Sequence, residues 1–101
     1  MKTEWFYKTE KGDYTRYEYS KIINKKSDDV VTFECVNVVF DRGVSHVSRY
    51  LEVVSGFTPK QVTRSNSTKE AFFDALNHAI SINAQFSTGA KEWYDNLKKT
   101  K

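Results

Sequence analysis

The chain has 101 residues, enough for one domain with a modest core and too few for a core plus a deep cofactor cleft, which argues against doubly wound nucleotide-binding folds and barrels. Hydrophobic residues at 39%, charged residues at 29% and aromatics at 15% exclude a disordered chain, and one Pro with four Gly excludes a linker, so we read 1–101 as a single domain. The net charge of +3 gathers toward the two ends and reads first as a solvated surface with a basic tail at 98–101, while leaving an acidic partner or nucleic acid open.

Residues 4–9 alternate between a Trp5/Tyr7 face and a Glu4/Phe6/Lys8 face, and Lys11-Gly12 sits where a tight turn belongs. Residues 13–23 continue at period two, with Thr15, Tyr17 and Tyr19 on one side and Tyr14, Arg16, Glu18 and Ser20 on the other. Together they predict a long aromatic hairpin. The polar run 24–29 reads as a loop. Residues 30–40 are apolar on both faces, Val31, Phe33, Cys35 and Val39 against Val30, Val36, Val38 and Phe40, which marks a central strand. After Asp41-Arg42-Gly43, residues 44–54 put Val47, Leu51 and Val53 on one face and His46, Ser48, Tyr50 and Glu52 on the other, completing a second hairpin.

At Ser55-Gly56 the period changes. Thr58-Pro59-Lys60-Gln61 has the form of a capping box and can open a short helical turn. A second box, Ser67 to Glu70, precedes Phe72, Phe73, Leu76, Ala79, Ile80 and Phe86 at helical spacing, so the pattern predicts the main helix over 68–86. Gly89 interrupts it, and Ala90, Trp93, Tyr94 and Leu97 repeat the spacing on a short terminal helix. Four strands followed by helices predict an α+β fold, a four-stranded antiparallel sheet of two hairpins with the long helix packed on one face. The other face is then left to solvent, to a second copy in a homodimer or to a partner.

No stretch approaches the ~18 apolar residues of a bilayer span, and the first eight residues lack the apolar core of a signal peptide, so the expectation is a soluble cytoplasmic protein with no membrane contact. Cys35 is the single cysteine, which rules out an internal disulfide and predicts a buried, inert thiol. His46 and His78 stand apart without metal-ligand spacing, and Asp74 before His78 is an ordinary helix-surface pair. Asp28-Asp29 are turn residues, the glycines stand singly at element boundaries, and no nucleophile elbow occurs. The expectation is therefore no enzyme, no catalytic residue, no cofactor and no metal.

The densest local feature is the aromatic content of the first hairpin, Trp5, Phe6, Tyr7, Tyr14, Tyr17 and Tyr19, interleaved with Lys8, Lys11, Arg16 and Lys21. Period two sends Trp5 and Tyr7 away from Phe6, so one helical layer cannot cover every ring and some are expected at the surface. Tyr, Trp and Arg are the residue types of protein-contact anchors, which makes Trp5, Tyr7, Tyr14, Arg16, Tyr17 and Tyr19 a candidate partner-binding patch, with Trp93 and Tyr94 as a second. The alternative is stacking of these rings on single-stranded nucleic acid, and the plain structural account is half-buried tyrosines on a pleated surface. Glu4, Glu10, Asp13 and Glu18 in the same hairpin would repel phosphates, which favours another protein as partner. A small non-catalytic chain of this profile fits an inhibitor, immunity or adaptor protein of the phage or mobile-element type.

Overall fold

The computed structural model describes residues 3–27, 29–56 and 67–99. Its first half is a meander of four long antiparallel strands, β1 (Glu4–Lys11), β2 (Tyr14–Ser27), β3 (Val30–Asp41) and β4 (Val44–Ser55). The second half supplies α1 (Lys69–Ser81), a two-residue strand β5 (Gln85–Phe86) and α2 (Thr88–Lys99). The architecture is α+β, with the sheet ordered β1-β2-β3-β4-β5. No described helix is long and apolar enough to cross a membrane.

Turn chemistry sets the register. Gly12 opens the first two-residue turn at φ 60, and in the second both Arg42 and Gly43 have positive φ, 50 and 82. Turns of this hand match the right-handed twist of the strands they join. The pairing that results places Phe6 opposite Tyr19, Tyr19 opposite Val36 and Val36 opposite Arg49. A shift of one residue would exchange the two faces throughout.

Three expectations are revised by the chain's own hydrogen bonds. The polar run read as a loop is largely strand: β2 continues to Ser27, and register shifts between Ile22 and Asn24 and between Lys25 and Ser27 absorb residues that break the alternation. The main helix stops at Ser81 and does not reach 86, because Asn83 adopts φ 58 and the N–H of Ala84 folds back to the carbonyl of Ala79 at 2.9 Å. Gln85 and Phe86 then pair in parallel with His46 and Val47, so Phe86 matches the helical spacing yet enters the core from a strand. Gly89 does not break a helix. It lies in the first turn of α2, where the Ser87 hydroxyl accepts from the N–H of Ala90 at 3.3 Å. At the other end of α1 the cap is Thr68, whose hydroxyl accepts from the N–H of Ala71 at 3.0 Å. The capping box at 58–61 lies outside the described residues.

Both helices pack on the sheet face that carries Phe6, Tyr17, Tyr19, Val36, Val38 and Val47. Phe72, Leu76 and Ala79 of α1 and Ala90 of α2 meet that face and are almost completely buried. Tyr19 stands at the centre, stacked on Phe6 at 5.0 Å between centroids, with Phe72 at 5.7 Å and Trp93 at 6.4 Å. Because Phe72 links α1 to both Phe6 and Tyr19, Phe72→Ala is expected to lower unfolding free energy by about 3–5 kcal/mol, read as a reduced urea midpoint with little change in slope.

Candidate functional site

The second face of the sheet is built by the complementary parity. Trp5, Tyr7, Val31, Phe33 and Cys35 form a second buried cluster to which no described helix contributes. Across the strands Trp5 is followed by Ser20, Cys35 and Tyr50, and the small side chains next to the indole leave room for it to meet Phe33 edge-on at 5.6 Å. The adjacent row runs Tyr7, Glu18, Asn37, Ser48, and the next Thr9, Arg16, Val39, His46. A polar track thus crosses the middle of this face.

The expectation that some rings of the first hairpin stay at the surface fails for three of the six and holds in part for the others. Trp5, Tyr7 and Tyr19 are 3%, 7% and 8% exposed, and Phe6, Tyr14 and Tyr17 are half-buried. The reason is cross-strand pairing of large with small residues on the second face and ring-on-ring packing on the helix face, neither of which a face count anticipates. Tyr17 packs edge-on against Phe40 at 6.5 Å and carries Lys8 over its ring at 5.4 Å. Trp93 and Tyr94 are half-buried as well. Trp93 packs toward Tyr19, so the two candidate patches meet inside the core, while Tyr94 lies beside Phe86 at 5.9 Å. Of the residues singled out in the sequence, Tyr14 and Arg16 remain partly open on the second face, with the exposed His46 at the end of the Arg16 row, beyond Val39.

Electrostatics are concentrated on this track. Glu18 is buried, accepts a hydrogen bond from the Ser20 hydroxyl at 3.1 Å and has Arg16 at 3.8 Å. Arg16 Nε and Asn37 Oδ1 are buried and have no hydrogen-bond partner among the protein atoms. Burial raises the Tyr50 hydroxyl above its ordinary value, with the Glu18 carboxylate adding to the effect. Burial likewise raises the Cys35 thiol, which sits 3.6 Å from the Ser20 hydroxyl and is held in its protonated, unreactive form. Asn37, Tyr50 and the Glu18–Ser20 pair were not singled out in the sequence. The available signal was Asn37, an amide inside the apolar run 35–40 of the central strand.

On the helix face, Arg49 donates through Nε to Glu34 Oε2 at 2.9 Å and through the guanidinium at 2.8 Å, walling a groove of about 340 Å³ beside Trp93 and Leu97. Its one strong cation is thereby neutralised. His46 and His78 belong to opposite faces: His46 is exposed on the second face, and the ring of His78, on α1, lies 5.5 Å from that of Phe40 on β3. Among the described residues no three His, Cys, Asp or Glu side chains converge as metal ligands would. No protein-family model, no curated protein and no solved structure matches the chain.

Tyr19 couples the site's hairpin to pH. Its hydroxyl donates to Glu4 Oε1 at 3.0 Å, and burial, then that carboxylate, push its pKa far above the ordinary 10.0. A raised folded-state value stabilises the fold fully below the unfolded pKa and is lost as pH climbs toward the folded one. Tyr19→Phe is therefore expected to cost about 1 kcal/mol at neutral pH and to flatten the fall in melting temperature above about pH 10, measured by circular dichroism across that range.

Proposed function

We propose that the chain is a small non-catalytic protein-binding module, of the inhibitor, immunity or adaptor kind, that works by occluding a macromolecular partner. Contact runs through the hairpin-turn end of the second face, with Tyr14 and Arg16 as anchors, Asn37 on the neighbouring strand and His46 one strand further across. The observation that carries this reading is the pair of unsatisfied atoms, the Arg16 Nε donor and the Asn37 Oδ1 acceptor, on neighbouring strands of one face. Leaving such a group unpaired costs about 1–3 kcal/mol. A peptide carbonyl is the acceptor that the Arg16 donor lacks. The Arg16 side chain is 35% exposed, so a rotation of it presents Nε to an incoming segment.

Charge supports a protein over nucleic acid. Glu18 lies 3.8 Å from Arg16, and Asp41 stands opposite Tyr14 in the register, so a phosphate brought to this cation would meet carboxylates.

In affinity purification from the native cell with quantitative mass spectrometry, Tyr14→Ala with Arg16→Ala is expected to lower the captured partner about tenfold, while Lys69→Ala on the helix face leaves it unchanged. Equal capture by the double variant, or salt-sensitive binding of a labelled single-stranded oligonucleotide, would count against the reading.

A further inference from the structure

The two edges of the sheet are finished differently. On β1 the Phe6 carbonyl already accepts from the N–H of Ser67 at 2.8 Å, and the strand carries Lys8, Glu10 and Lys11. On β4 the short strand β5 pairs only with His46 and Val47. The Val47 carbonyl accepts from the N–H of Ser87 at 2.9 Å on the outer side. Residues two apart along a strand point the same way, so the N–H and C=O groups of Leu51, Val53 and Ser55 also face outward. No described strand lies beside them.

This stretch is also apolar. Leu51 is 54% exposed, Val53 64% and Tyr50 40%. Its pairing with β3 runs without a bulge, and residues 50–55 contain neither Pro nor Lys, the usual guards of an open edge. Glu52 is the one charge in those six residues.

We propose that this edge is closed by a second copy of the chain, the two β4 strands pairing antiparallel about a two-fold axis at Val53. Leu51 then exchanges backbone hydrogen bonds with the partner's Ser55, and Val53 with the partner's Val53. Charge and space disfavour the registers centred at Glu52 and at Leu51. An axis at Glu52 sets that carboxylate directly opposite the partner's Glu52, which is destabilising. An axis at Leu51 requires the outer side of Arg49, where a Cβ on Gly89 would lie 3.8 Å from the Arg49 carbonyl oxygen. With the axis at Val53, Glu52 faces the partner's Val54, and the Leu51 and Val53 side chains of both copies form one apolar stripe. Head-to-tail growth from β4 onto β1 has to compete with the Ser67 N–H for the Phe6 carbonyl, whereas a two-fold pair ends the sheet at a closed dimer.

Sedimentation equilibrium of the full chain is expected to give twice 11.8 kDa, and Val53→Lys to give 11.8 kDa with an unchanged circular dichroism spectrum. Facing hydrogen-bonded residues sit about 5.5 Å apart between Cα atoms, within disulfide range. Val53→Cys should therefore cross-link on mild oxidation, whereas Val44→Cys, just as exposed at the far end of the same strand, should not. This second pair of variants decides the matter even if Val53→Lys fails to fold. A wild-type mass of 11.8 kDa at every concentration, or cross-linking no faster at Val53→Cys than at Val44→Cys, overturns the proposal. The dimer does not depend on the Tyr14 and Arg16 surface, so either idea can fail alone.

Discussion

The helix face is organised around one side chain, Tyr19. It receives Phe6 from β1 by stacking, Phe72 from α1 and Trp93 from α2, and its hydroxyl reaches Glu4. Strand and both helices are therefore held at a single point of the sheet. The phenol suits that place because its ring fills the core while its hydroxyl finds an acceptor at the margin. With α1 and α2 fixed there, the short turn through Asn83 has the reach to lay β5 along β4, and Phe86 is delivered to the core.

The same strict alternation that aims Phe6 and Tyr19 at the helices sends Trp5, Tyr7, Phe33 and Cys35 the other way. That second face manages its large rings by placing small or polar neighbours across from them, Ser20 opposite Trp5 and Glu18 opposite Tyr7. On β2 the packing is concentrated at Glu18, Tyr19 and Ser20, while Tyr14 and Arg16 nearer the Gly12 turn keep part of their surface.

Much of the fold was legible in the residues. Period-two alternation identified all four long strands and assigned Val31, Phe33 and Cys35 against Val36, Val38 and Phe40 correctly to opposite faces. Gly12 and Gly43 marked the turns because both stand at positive φ. The errors lay where local pattern yields to tertiary geometry. Helical spacing at Phe86 could not reveal that Asn83 ends the helix, and the polar residues 24–27 looked like loop because bulges hide strand periodicity. The candidate surface was the least legible part. Ring exposure depends on which neighbour sits across the strand, as Ser20 does beside Trp5, and that follows from register rather than from composition.

This register requires the second face to bury its rings, Trp5 first among them. Trp93→Phe leaves Trp5 as the remaining tryptophan, and its fluorescence reports that face directly. Blue-shifted emission that resists acrylamide, against stronger quenching in the Trp5→Phe variant that reports the half-buried Trp93, is the result expected. Red-shifted emission from Trp5, quenched as readily as that of the free amino acid, would contradict it.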